Sequence, residues 1–159
     1  MMEVFTTLEN SGLATSLRES FWIYPLVNAT HILGVALLVG AILPMDLRLL
    51  GTWPAIPVAT LGGVLLPFAV AGLLLAIVSG SLLFTVQAKD YVVQPLFWAK
   101  MGLLVLGLAN ALALRGSVAW AEQFPATSLR PAVRLKIGAM VSFLVWLAVL
   151  LLGRLLGYL

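Results

Sequence analysis

Four stretches of this chain are apolar for long enough to cross a lipid bilayer, and that constrains its fold more than any other feature. They run over about 21–43, 61–87, 96–114 and 135–158, each near the roughly 20 residues that a membrane-spanning helix needs. The composition agrees, with 62% hydrophobic and 9% charged residues, where soluble domains carry about 25% charge. A small soluble domain keeps most of its residues near its surface and could not hide so many apolar side chains. In lipid every backbone polar group must be satisfied within its own segment, which favours helices. The expected fold class is therefore all-α, an integral membrane four-helix bundle forming a single transmembrane domain over residues 1–159.

The segments between the spans read "PMDLRLLGTWPAIPVAT", "AKDYVVQ" and "RGSVAWAEQFPATSLRPAVR", each marked by proline, charge or both. The first 20 residues have neither the basic start nor the apolar core of a signal peptide. The first span is thus expected to persist in the mature protein, with a short N-terminal interfacial helix between Leu8 and Leu17. Gly72, Ala76 and Gly80 recur every four residues on the second span and mark a close-packing face. Ala36 with Gly40, and Gly153 with Gly157, repeat the spacing.

Basic residues give an orientation. Arg48, Arg115, Arg130, Arg134 and Lys136 fall in the first and third loops, against Arg18 and Lys89 on the other side. This bias places those two loops in the cytoplasm of a bacterial inner membrane and both termini in the periplasm. The net charge of +3 is dispersed and points to the lipid bilayer as partner, with no role for nucleic acid. The absence of cysteine excludes disulfides, thiolate metal sites and a cysteine nucleophile. The sequence shows no phosphate loop and no acid beside its one histidine, so it offers no hydrolase or transferase chemistry.

Function must then reside in the polar residues inside the spans: Asn28 and His31, Lys100 and Asn110, and Ser142, Trp146 and Arg154. The spans carry no carboxylate on this reading, with Asp46 and Arg48 lying just past the first of them. At ~1.5 Å per residue, His31 and Trp146 lie at one level, roughly 15 Å deep, with Lys100 and Arg154 in a layer above. Asn28 and Gly34 share the face of His31. Three readings fit this set. His31 can be the axial metal ligand of a haem b or similar redox cofactor, with Gly34 giving room to the ring and Lys100 and Arg154 pairing with propionates. The second axial ligand would come from Met101, Met140, water or a second copy of the chain in a homo-oligomer. Alternatively His31 is a proton or ion relay, although such relays usually include acids. Finally, His31 can be structural, bonded to Asn28, Ser142 or Trp146, in a non-catalytic membrane subunit or transport accessory protein. Trp22, Tyr24, Trp53, Tyr91, Trp120 and Tyr158 are expected to form interfacial belts.

Several motifs occur in a telling order. They are Trp22-x-Tyr24-Pro25, His31-Ile32-Leu33-Gly34 and Asp46-Leu47-Arg48-Leu49-Leu50-Gly51, then Gly72, Gly80, Pro95, Lys100, Asn110, Trp146, Gly153-Arg154 and Tyr158. In that order the chain resembles a family of small bacterial four-helix membrane proteins known only as a domain of unknown function. In architecture it is more remotely similar to copper-resistance D type membrane proteins and b-type cytochromes. The resemblance implies a fold, a membrane address and, by the cytochrome analogy, a redox partner subunit, but no established activity. The family pattern often places a histidine shortly after the residues matching Asn110-Ala111-Leu112. Here Arg115 stands in that place, so a family pair of histidine ligands would be reduced to His31.

Overall fold

The computed structural model describes residues 2–122 and 131–158. Among the described residues there are no strands, and the helices are α1 (Met2–Glu9), α2 (Gly12–Glu19), α3 (Ile23–Leu50), α4 (Val58–Val86), α5 (Ala88–Val93), α6 (Pro95–Arg115), α7 (Val118–Ala121) and α8 (Val133–Leu156). Four of them, α3, α4, α6 and α8, are long and apolar enough to span a membrane. They run alternately up and down, so α1, α2, α5 and the end of α8 gather at one end of the bundle, here the terminal end. The 51–57 loop and α7 lie at the other, the loop end.

α3 is the hub, packing along α4 on one side and α8 on the other, while α6 packs on α8. One core layer joins Leu38 and Ala41 of α3, Ala69 of α4, and Val145, Trp146 and Val149 of α8. A second, nearer the loop end, joins Met45, Leu49, Val58, Leu135 and Ala139 around Trp120. Leu26, Ile32, Leu74, Leu144 and Leu151 are exposed and present an apolar exterior suited to acyl chains. α4 and α6 do not approach closely, and an open groove of about 570 Å³ runs between them past Gly62, Leu66 and Pro67 to Arg115.

The tightest seam is between α3 and α4, on the face marked by Gly72, Ala76 and Gly80. A Cβ on Gly34 would meet the Ala76 backbone nitrogen at 2.6 Å, and one on Gly72 would meet that of Leu38 at 2.5 Å. Both positions therefore bring backbone against backbone, as small residues permit inside membranes. Gly153 also serves a seam, against Lys100, but Gly40 and the exposed Ala36 do not, since a Cβ on Gly40 would meet nothing within 4 Å.

α3 differs from expectation at its end. It does not stop near Leu43 but continues through Pro44, Asp46 and Arg48 to Leu50. The two charged residues, expected beyond the span, are buried inside it, at 4% and 0% exposure. Each has a partner that makes burial tolerable. Ser142 bonds the Asp46 carboxyl, and Arg48 donates from Nε to the Ile56 carbonyl and from Nη2 to that of Pro54 at 3.4 Å. Arg48 thereby ties the 51–57 loop to the helix it leaves. The true stop is Gly51, whose φ of 121° ends the helix, with the Gly51 and Thr52 N–H groups both donating to the Leu47 carbonyl. Trp120 also departs from its expected place in an interfacial belt and is a core residue of the loop end. Arg130, counted among the basic loop residues, lies outside the described residues.

The N-terminal segment forms two helices, broken at Asn10 and Ser11, that cap the terminal end. Arg18 donates to the carbonyl of Val86, the last residue of α4, at 2.9 Å. The Glu9 carboxylate accepts from the Lys89 backbone N–H at 2.8 Å, in the first turn of α5, and pairs with the Lys89 ammonium at 3.0 Å. A cation thus meets a helix C-terminus and an anion a helix N-terminus, both favourable to the helix dipoles. Phe84, Tyr91 and Phe97 stack beside this cap, with Phe5 edge-on to Phe84.

The Lys89 backbone bond, and then its ammonium, hold the Glu9 carboxyl below its ordinary 4.5. A group with a lowered pKa in the folded state stabilises it above the ordinary value and loses that contribution as pH falls through the lowered one. Pepsin cleavage within residues 2–19 should therefore rise as pH is taken below 4.5, relative to a Glu9→Gln protein whose cap is already weakened. Parallel pH profiles for the two proteins would show that the carboxylate does not hold the cap.

Candidate functional site

His31 projects from α3 onto the stripe of small residues on α4. A Cβ on Gly80 would stand 3.0 Å from Cε1 of the ring, so glycine is what admits the imidazole there. Nδ1 lies 3.0 Å from the Ala76 carbonyl and 3.2 Å from the Ser79 hydroxyl. The Ser79 hydroxyl proton is already given to the Leu75 carbonyl, so both neighbours of Nδ1 are acceptors. This assigns the proton to Nδ1 and leaves Nε2 with its lone pair. Nε2 has no hydrogen-bond partner among the described residues, and it is not sealed from its surroundings. An imidazole fixed through Nδ1 with a bare Nε2 is the arrangement found in ligating histidines.

Lys100, at the terminal end of α6, supplies the second group. Its side chain lies over Gly153 of α8, where a Cβ would stand 3.6 Å from Nζ. The ammonium is half-buried, is in no ion pair among the described residues, and lies within electrostatic reach of the His31 ring. A lone-pair donor on the α3–α4 seam and a cation on the α6–α8 seam thus both lie in the terminal half of the bundle, within electrostatic reach of one another.

The other expected site residues lie apart from this pair. Asn28 is exposed and makes no hydrogen bond to the imidazole. The space beside Gly34 is filled by the α4 backbone and has no room for a macrocycle. Trp146 is 1% exposed and belongs to the Leu38–Ala41 layer, seven to ten residues along α3 from His31 and hence over 10 Å deeper. Arg154 is exposed and engages Tyr158, with a 2.6 Å hydrogen bond to its hydroxyl and its guanidinium 4.5 Å from the ring centre. Met140 sits on an exposed face near the loop end, whereas Met101 is part-buried and follows Lys100 on α6. Asn110 donates to the Gly138 carbonyl at 3.0 Å and binds α6 to α8. Sequence reasoning did not single out Ser79 as a partner of His31, though its place beside the Gly72–Gly80 stripe was a signal.

No group of three or more potential metal-ligating side chains occurs among the described residues. His31 could therefore supply one ligand to a metal, with the others coming from elsewhere. Over residues 19–159 the chain matches the model of a family of unknown function, DUF6644, and belongs to that family. No curated protein and no solved structure matches it. The match begins within α2, so most of the N-terminal cap precedes it.

Proposed function

We propose that this member of a family of unknown function binds a metal-centred, anionic cofactor in the terminal half of its membrane bundle, and that a b-type haem is the best candidate. The observation that carries the reading is the pinned imidazole: the Ala76 carbonyl and Ser79 hydroxyl accept from Nδ1–H and leave the Nε2 lone pair available to a metal. The Lys100 ammonium, in no ion pair among the described residues and within electrostatic reach of the ring, suits a propionate carboxylate. The reading rests on His31 and Lys100: the α4 backbone fills the space beside Gly34, Asn28 is exposed, Trp146 packs deeper and Arg154 engages Tyr158. A second copy of the chain or a partner subunit would complete the site and supply a further ligand. A bound haem supplies one-electron chemistry, and the chain's own residues orient its ligand, balance its charge and surround it with apolar helices. The excess of basic residues at the loop end supports a periplasmic place for the site in a bacterial inner membrane.

A second reading rests on the same two hydrogen bonds, which also tie α3 to α4. In a subunit that only scaffolds a partner, they would fix helix register and nothing more. The visible spectrum separates the two. Protein purified in mild detergent from haem-sufficient cells should show a Soret band near-stoichiometric with the chain. His31→Ala should abolish the band, and Lys100→Ala should weaken haem retention. Colourless protein that folds equally well with and without the imidazole would leave the scaffold reading.

A further inference from the structure

A buried carboxylate lies in the other half of the bundle, and neither reading of His31 uses it. Asp46 is 4% exposed on the face of α3 that meets α8. Ser142 of α8, itself 6% exposed, hydrogen-bonds one side of the carboxyl, and Oδ2 is buried with no partner among the described residues. One turn further along α8, the Trp146 indole Nε1 is a second buried polar atom without a partner among the described residues.

Among the described residues no counter-ion meets this carboxyl. α4 and α7 carry no titratable residue, and Arg134 and Lys136 at the start of α8 are exposed. Arg18 and Glu19 of α2 and Arg154 of α8 are at the terminal end. Arg48, on the same helix, turns its Nε and Nη2 to the Ile56 and Pro54 carbonyls. Among the described residues no cation approaches Asp46 within ion-pair distance.

An ionised carboxylate so placed would be an unpaired charge inside a membrane protein, which is among the costliest arrangements available. Protonation removes the charge. Ser142 already serves one oxygen, so the free Oδ2 is the atom that takes the proton. From these contacts we infer that Asp46 is an intramembrane proton-binding site, neutral at physiological pH, that exchanges its proton with water at the loop end. The step is the reversible addition of one proton to a carboxylate oxygen, with no other bond made or broken. Exchange is short-range, because Asp46 lies only five residues from the helix stop at Gly51, roughly 7 Å along the axis.

Infrared spectroscopy of the full chain in nanodiscs tests this directly. A protonated carboxylic C=O stretch at pH 7 is assigned to Asp46 by its loss in the Asp46→Asn protein. The band is expected in the native protein, absent in Asp46→Asn, displaced in Ser142→Ala, and shifted within minutes of transfer to D₂O. Asparagine preserves the shape and can still accept the Ser142 bond. If that variant nevertheless failed to fold, displacement of the band by Ser142→Ala would carry the assignment. A spectrum without the band would mean that the carboxylate is ionised, and a band unmoved by D₂O would mean a sealed structural acid. Either result overturns the proposal.

Discussion

Gly72→Ala is expected to destabilise the bundle by about 3 kcal/mol, because the added methyl group has nowhere to go. Its Cβ would lie 2.5 Å from the Leu38 backbone nitrogen, 2.7 Å from the Gly34 carbonyl oxygen and 2.9 Å from the Leu37 Cβ. A flexible side chain could swing aside, but here two of the three atoms are backbone of the hub helix. The clash is relieved only by moving α3 off α4. Such a movement loosens the seam above and below it, including the Ala76 and Ser79 bonds to His31. For a chain of this length the cost corresponds to a fall in melting temperature of about 10 °C. Gly63→Ala, on the same helix, is the control, since its Cβ would meet nothing within 4 Å. Melting curves followed by circular dichroism in one detergent would settle the comparison. If the two variants melted together, close backbone approach would not be what holds α3 to α4.

That seam was legible in the sequence because its cause is local: small residues four apart lie on one face whatever surrounds them. The spans were legible for a similar reason, since a run of apolar residues reports its length directly. The end of α3 was not. Pro44, Asp46 and Arg48 carry every local mark of a loop, and what keeps them helical is distant in the chain. Ser142 reaches Asp46 from another helix, and the carbonyls beyond Gly51 fold back on Arg48. The site was displaced for a different reason. Depths counted from the outer ends of the spans put Trp146 level with His31, but the indole packs beside Leu38 and Ala41, so those ends do not stand at one height. Lys100 was read as a cation near a helix end, which it is. That it lies over α8 depends on the rotation of α6 against α8, which Gly153 and Gly107 set by the contacts they permit. Such a rotation leaves no trace in hydropathy.

Trp146 offers the largest effect and the sharpest contrast. It is the bulkiest of the fully buried side chains and joins α3, α4 and α8 in one layer, with its ring edge over Gly107 of α6. Trp146→Ala should leave a large cavity between helices that cannot all close on it, at a cost on the order of 4 kcal/mol. In lipid the contribution is packing more than exclusion of water, so the lost contacts dominate. Trp146→Phe is expected to cost far less, about 1 kcal/mol, for a reason specific to this site. The indole Nε1–H is buried without an acceptor among the described residues, and an unmet donor of that kind is itself worth about 1–3 kcal/mol of destabilisation. Phenylalanine leaves part of the ring volume empty but also removes the unmet donor, and the two changes offset. Unfolding both variants in the same detergent reads the difference. Should Trp146→Phe prove nearly as damaging as Trp146→Ala, the indole nitrogen must be hydrogen-bonded in the membrane, and the polar ground around Asp46 would extend one turn further along α8.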